Sequence, residues 1–525
     1  MPNKPIELTP EDLQALLERL KAAVSEEDYE TIKAMTEALQ AMSQVMNQKA
    51  ASIKRLLKQL FGQKSEKKKD VLNESENNQD NEENPKKKPD EPRKKPKGHG
   101  RNGAAAYTGL KKIQVNHENL EHGAFCPLCL KGKVYRKSPG IVIRIVGSPP
   151  LGGTLYEAEK LRCNLCGETF TAKLPEDIGD QKYDETATAI IALLKYSNGF
   201  PFYRLEQLQK NLGVPVPATT QWDLVEGFSS LAKPAYSEML KQAAQGELFH
   251  SDDTTAKVLS LMKEGETENG RKGMFTTGIL SKMEDRMAVL YFTGRNHAGE
   301  NIDDLLQKRL QGLGPPQLMC DALSRNIPKV LEVILSNCLT HGRRNFVDVI
   351  EAFPDECRHV IETLATVYHN DEIAKDKSMS PQERLAFHQA ESKPLMDGLF
   401  AWFKQQLDEK RVEPNSGLGK AIAYMMKHWA PLTRFLEIPG APLDNNICER
   451  ALKKSIIHRK NSLFYKTQNG ADVGDMFMSL IQTCNMAKEN PFDYLVALQQ
   501  NASVVAENPE KWLPWNFRQS TLTPN

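Results

Sequence analysis

The chain has 525 residues, with 69 basic and 68 acidic side chains and a formal net charge of +1. Its 40% hydrophobic and 26% charged residues suit a folded globular protein and exclude disorder throughout, a collagen-like chain and a small disulfide scaffold. No run of about 18 apolar residues is present, so no membrane helix is expected, and Met1-Pro-Asn-Lys-Pro lacks the apolar core of a signal peptide. At roughly 150 residues per domain, the length predicts three or four folded units.

The first 62 residues are written for helices that pair with other helices. Thr9-Pro10-Glu11-Asp12 and Ser25 with Asp28 are two helix-start signals. Ile32, Met35, Leu39, Met42, Met46, Lys49, Ile53, Leu56 and Leu60 then alternate at spacings of three and four, the pattern of a coiled coil with one polar interruption. An amphipathic helix packed on the chain's own core is the alternative. Residues 63–101 read as a disordered charged linker: Asp70–Asn84 holds six acids and no base, and Pro85–Arg101 carries a surplus of six bases. The near-neutral total therefore hides a basic stretch suited to phosphates, or to a solvated spacer.

Nine cysteines are few for this length, and an odd number cannot all pair. Cys126-Pro-Leu-Cys129 and Cys163-Asn-Leu-Cys166 are two knuckles of the kind that complete a tetrahedral four-cysteine Zn²⁺ site, predicting a zinc ribbon over 102–175 with Ile141–Val146 as a strand. A redox dithiol is the rival. Cys320, Cys338, Cys357, Cys448 and Cys484 are scattered, which fits a reducing cytoplasm. Over 183–245 the pattern is helical. A helix ending at Gly213, a Val-Pro-Val-Pro turn and a helix from Thr219 or Thr220 resemble a DNA-binding helix-turn-helix.

Glu247–Leu259 reads as a strand bearing Asp252 and Asp253, which point to opposite faces. Gly273–Leu280 and Arg286–Phe292 read as a hairpin, Asn301–Leu310 as a helix, and Pro316–Asp321 as an apolar strand ending in an acid. This order suggests a ribonuclease-H-like α/β layer over 246–470, with a helical insertion at about 338–440 and a helical region from 471 onward. A third acid, Glu449, lies in the first turn of a helix after Asp444-Asn445-Asn446. Lys453, Arg459 and Lys460 follow it as phosphate-binding candidates, with Arg343 and Arg344 at the start of the insertion. Carboxylates suit Mg²⁺ or Mn²⁺, two of which can drive phosphodiester chemistry. The alternatives are ordinary: Asn446 and Glu449 match a capping box, Asp321 a turn, Asp252 a solvated edge.

Three blocks resemble the insertion sequence 66 family of bacterial transposases: Asp252-Asp253-Thr254; Cys338-Leu-Thr-His341-Gly-Arg343-Arg344-Asn-Phe346; and Asp444-Asn445-Asn446-Ile-Cys-Glu449-Arg450 through Arg459-Lys460-Asn461-Ser-Leu-Phe464. The likeness extends to Gly98–Arg101, Lys195-Tyr196, Pro201–Arg204 and Leu513–Asn516. It implies a multidomain α/β chain whose ribonuclease-H-like core carries an Asp-Asp-Glu triad of Asp252, Asp321 and Glu449. It further implies metal-dependent cleavage at element ends and strand transfer into target DNA. Homo-oligomerisation through the coiled coil, small accessory proteins, no membrane and a cytoplasmic, nucleoid-associated setting complete the expectation. A catalytically inactive zinc-containing DNA-binding regulator, or a coiled-coil scaffold, is the alternative.

Overall fold

The computed structural model describes residues 17–21, 24–36, 122–125, 127–129, 131–135, 150–162, 169–173, 181–265 and 270–522. Most of the heptad run, the linker 63–101, the strand expected at 141–146 and Cys126, Cys163 and Cys166 lie outside them. Two compact units are distinguished, one formed by residues 82–152 and one by the remainder.

Within the smaller unit, Gly123 and Val134 close a short turn through N–H···O contacts of 2.8 Å, and Phe125 bridges Lys133 antiparallel. Inside that turn the Cys129 sulfur accepts the Gly132 N–H at 3.4 Å. In the larger unit, residues 26–36 are helical, and Ser25 starts that helix as read from the sequence: its hydroxyl accepts the Asp28 N–H at 3.2 Å. Strands β1 (Lys160–Arg162) and β2 (Thr169–Thr171) pair antiparallel and bracket the second cysteine pair.

Among the residues described from 181 onward, three helices lead into the main sheet. They are α1 (Glu185–Ala192), which runs on as a π-helical turn over Leu193–Ser197, α2 (Phe202–Asn211) and α3 (Ala218–Ala243). Helix α3 is 26 residues long and buries Val225, Phe228, Ala232, Ala235, Met239 and Ala243, a stripe at helical spacing.

The sheet has the order β5-β4-β3-β6-β7. Strands β3 (Leu248–Thr255), β4 (Phe275–Met283) and β5 (Arg286–Gly294) form an antiparallel meander, after the short helix α4 (Leu259–Glu264) between β3 and β4. Helix α5 (Ala298–Leu306) crosses to β6 (Gln317–Cys320), which runs parallel to β3, and β7 (Ile334–Asn337) runs parallel to β6. Four of these strands match the elements read from the sequence. At four residues, β7 is too short to show a period of two, and it was not among the predicted elements.

Helices cover both faces. Asp253 points to the α5 side, where it accepts from Thr277 Oγ1 at 2.6 Å and from the Ala298 N–H at 3.1 Å, beside His297 Nδ1 at 3.1 Å. Asp303, on α5, is equally committed: its carboxylate accepts the N–H groups of Lys329, Val330 and Leu331 at 2.9, 3.1 and 3.1 Å. Both acids are therefore structural anchors. On the opposite face lies α11 (Asn446–Ser462), reached after the helices α6 (Leu339–Val347), α7 (Pro354–Asp376), α8 (Pro381–Glu391), α9 (Lys393–Asp408) and α10 (Gly417–Lys427). Four of these, α6, α7, α9 and α10, share a core of their own around Phe346, Ile361, Leu364, Phe403 and Ile422. The insertion is helical as expected, with a break between α6 and Pro354, which opens α7 as proline commonly does.

The C-terminal segment is built into the sheet. Helix α12 (Gln468–Met486) lies along β5, whose Val289, Tyr291 and Thr293 N–H groups donate to Thr483 Oγ1, Ser479 Oγ and the Asp475 carboxylate. Four residues of helix rise about 6 Å and two residues of strand about 6.6 Å, so acceptors at 475, 479 and 483 stay in step with donors at 293, 291 and 289. An edge that would otherwise invite another strand is thus closed.

The α5 crossover leaves a sharp prediction. A Cβ on Gly299 would lie 2.4 Å from the Ile327 carbonyl oxygen, in the loop that follows Asp321. Gly299→Ala is expected to destabilise the protein by about 1–3 kcal/mol, read as a lower urea midpoint with unchanged m-value.

Candidate functional site

Three segments distant in sequence bring the three singled-out acids into one electrostatic cluster. The first is β3, where the alternation of side chains puts Leu248, His250, Asp252 and Thr254 on the α11 face. The second is the end of β6. The parallel register pairs His250 with Met319, and carried on by two residues it sets Asp252 beside Asp321. The third is the first turn of α11, which projects Glu449. All three side chains are half-buried. Burial, and then the charges of Asp321 and Glu449, push the Asp252 carboxyl up to about 7, while the Asp253 N–H bound to it at 2.8 Å pulls the other way.

The approach of α11 depends on a missing side chain. Gly278 pairs with Asp252 across β3 and β4, and a Cβ there would stand 2.9 Å from Leu452 of α11. Cys448 completes the contact by donating to the Gly278 carbonyl at 3.3 Å.

The run Asp444-Asn445-Asn446 then divides its labour. Asp444 accepts the Asn446 N–H at 3.0 Å and its side-chain amide at 2.8 Å, so it is Asp444 that satisfies the helix start. Asn445 is fully buried. Its amide donates to the Ser251 carbonyl at 2.9 Å, its oxygen meets His250 Nδ1 at 3.1 Å, and its N–H points at the Cys338 sulfur at 3.3 Å. Burial lowers His250 to about 4, so the ring is neutral and Nδ1 is the donor.

The capping box suggested by Asn446 and Glu449 does not form. The cap position falls on Asn445, and no side-chain capping bond is made there. Glu449 Oε1 is instead buried with no hydrogen-bond partner. Asp321 does also serve a turn: its carboxylate accepts the Leu323 N–H at 3.2 Å and the Asn326 amide. Three carboxylates near enough to perturb one another, one of them without a hydrogen-bond partner at Oε1, are of the donor type that suits hard divalent cations.

The basic candidates separate by position. Lys453 and Lys460 are exposed on α11, at four and eleven residues beyond Glu449 and on its side of the helix. Arg459 instead turns back to the sheet: its Nη1 donates to Thr254 Oγ1 at 3.1 Å, to Thr255 Oγ1 at 2.7 Å and to the Thr255 carbonyl. Arg343 and Arg344 are half-buried on α6. Near the end of α11, Lys195 is desolvated, its pKa falling to about 8, and it donates to Ser462 Oγ at 2.9 Å. His458 of α11 stacks between Tyr196 and Tyr465 at 6.1 and 5.0 Å, which ties the π-helical turn to the same helix.

The tethers Asn445, His250 and Gly278 were not singled out from sequence. Their role depends on contacts across about 170 to 195 residues, which no local pattern reports. His341, quoted from sequence only within the block that carries the family likeness, lies 4.0 Å from Glu449 Oε1 through its Nε2. The adjacency of Asn445 to the capping residue Asp444 was the one available signal.

The sequence matches the family described as "Transposase IS66 family" over residues 181–473, from before α1 into α12. Among curated proteins it is similar to three uncharacterized proteins of Sinorhizobium fredii (strain NBRC 101917 / NGR234). Identity to y4jD is 32% over 375 residues, covering 68% of this chain and 71% of that one. Identity to y4qI is 25% over 353 residues (64% and 63%), and to y4hP 25% over 392 residues (69% and 68%). Among the described residues, no helix is long and apolar enough to cross a membrane. The family match spans the whole sheet, the inserted helices and the helix that carries Glu449, and the chain belongs to the IS66 family of transposases.

Proposed function

We propose that the protein is a DNA transposase of the Asp-Asp-Glu class, working on a ribonuclease-H-like core. The observation that carries this reading is the electrostatic convergence of Asp252, Asp321 and Glu449 from three separate segments. The sheet order, an antiparallel meander followed by two parallel strands, supports the core assignment. Mg²⁺ or Mn²⁺, when bound there, would supply Lewis-acid activation of a water or 3′-hydroxyl and offset charge on the leaving oxygen.

In this reading Asp252 and Asp321, from adjacent strands, and Glu449, from α11, would hold the metal. Lys453 and Lys460 hold DNA phosphates along the exposed side of α11, and Arg343 and Arg344 do so from α6. Arg459 fixes the end of β3 against α11, so that the acid on β3 keeps its distance from Glu449. The four cysteines Cys126, Cys129, Cys163 and Cys166 hold Zn²⁺ and shape an end-binding element, with residues 183–245 as further DNA-contacting helices. The N-terminal heptads join copies of the chain, and small accessory proteins act beside them. A DNA-binding regulator would share the basic surfaces, but it gives no reason to gather three carboxylates at a cost in stability.

Three outcomes are expected. Changing Asp252, Asp321 or Glu449 singly to Ala should reduce Mg²⁺-dependent strand transfer by roughly 10²-fold or more while leaving gel-shift binding of the element ends in place. Strand transfer near the wild-type rate in any of them removes that residue from the triad.

The second concerns pH. The folded Asp252 carboxyl titrates near 7, and an unfolded one near 4, so its ionisation penalises the fold increasingly as pH rises between them. Without added magnesium, Asp252→Asn should therefore stabilise the protein at pH 8 by up to about 3 kcal/mol, with the gain falling by more than half at pH 5. Equal melting temperatures for the two proteins at pH 8 would contradict the raised pKa.

Third, chelating zinc should weaken end binding at least roughly tenfold, as loss of a structural metal does for its fold. Unchanged binding would separate the cysteine pairs from DNA recognition.

A further inference from the structure

Beside the acids lie two donors that phosphoryl transfer leaves unused, Cys338 and His341, both close to Glu449. Cys338 occupies the cap position of α6, and the two-residue spacing puts His341 in its first turn, where the His341 N–H reaches the Cys338 carbonyl at 3.2 Å. Glu449 comes from the first turn of α11, so two helix starts face each other here. The Cys338 sulfur, a His341 ring nitrogen and a Glu449 carboxylate oxygen all lie within 4.8 Å of one another. His341 Nδ1 and Glu449 Oε1 are both buried without a hydrogen-bond partner, and the separation of 4.0 Å between His341 Nε2 and Glu449 Oε1 is too long for one. A buried carboxylate oxygen without a partner, facing an imidazole nitrogen across a gap too long for a hydrogen bond, marks room for something that binds both.

We propose that Cys338, His341 and Glu449 form a site for a borderline-soft divalent cation of the zinc class, sharing Glu449 with the hard-oxygen cluster. The donor types decide the class. Magnesium takes oxygen, whereas one sulfur, one imidazole nitrogen and one carboxylate oxygen with a fourth position left to water are zinc's usual partners. Tetrahedral ligands sit about 3.3–3.8 Å apart, so side-chain rotations of about 1 Å close the set. The Cys338 proton leaves to solvent as the metal–sulfur bond forms, and thiolate and carboxylate together balance the ion's two charges. The Asn445 N–H, 3.3 Å from the sulfur, remains as the outer partner that fixes it.

Such an ion draws Glu449 away from magnesium, so zinc should inhibit strand transfer; this consequence rests on the role proposed for Glu449 above. Binding itself does not. Full-length wild-type, Cys338→Ser, His341→Ala and Glu449→Gln proteins would be titrated with Co²⁺ and followed by thiolate-to-cobalt absorption in the near ultraviolet and by bound equivalents. All four carry the same paired cysteines, so only the difference counts.

The expected result is one equivalent fewer in each of the Cys338 and His341 variants, loss of one sulfur–cobalt component in Cys338→Ser, and at least tenfold weaker uptake of that equivalent in Glu449→Gln. Equal cobalt uptake and equal spectra in all four overturn the proposal. Cys338→Ser keeps the size of a buried side chain and His341 is partly exposed, so misfolding of one variant, seen by circular dichroism, leaves the other to decide. A cobalt difference alongside undiminished strand transfer in Glu449→Gln keeps this site and removes the magnesium role; equal cobalt uptake with abolished strand transfer does the reverse.

Discussion

The Asn445 amide is the contact on which the site's assembly rests. It is fully buried, and both ends of its side chain are bonded to β3, while its backbone N–H meets the cysteine at the head of the inserted helices. A buried amide with either partner missing would leave polar atoms unsatisfied, at about 1–3 kcal/mol each. Register therefore follows. Once Asn445 sits against Ser251 and His250, Glu449 is fixed one turn further along α11, over the strand that carries Asp252. Gly278 then sets how close that helix can come, because only a residue without a side chain leaves Leu452 its place.

The rest of the larger unit protects this arrangement. Asp253 and Asp303 hold α5 and the loop after β6, so that the turn bearing Asp321 is supported from the opposite face of the sheet. Helix α12 closes the β5 edge with side-chain acceptors in place of a strand. The Asp475 carboxyl there is pushed by burial to about 8 despite two hydrogen bonds from Thr293, and it marks the deepest point of that contact. A column of stacked rings, Phe477, Tyr196, His458 and Tyr465, links α12 and the π-helical turn to the far end of α11. Both ends of α11 are thus anchored, and the exposed lysines lie between.

Gathering three carboxylates is costly, and the cost is visible in the displaced Asp252 pKa. Elsewhere in the same unit, buried acids such as Asp303 and Asp475 are hydrogen-bonded. Asp371, buried among the inserted helices, is held well below the usual carboxylate range because His388, Arg384 and Lys375 outweigh its burial. The two acids thus shift in opposite directions, according to whether their neighbours are cations or other acids.

The sequence by itself determined the strands around Asp252, the apolar strand before Asp321 and the helical start at Glu449. Each rests on local periodicity and turn chemistry that a dozen residues express. It also carried the family likeness that the comparisons bear out over residues 181–473. Only the tertiary structure decided which of two adjacent aspartates faces α11, because Asp253 is taken by Thr277 and the α5 N-terminus. Only it turned Glu449 from a plausible helix cap into an unpaired carboxylate, and Arg459 from a phosphate candidate into a clamp on Thr255. The physical reason is range. Propensity and patterning act over a few residues, whereas the partners of these side chains lie up to about 200 residues away and are chosen by packing.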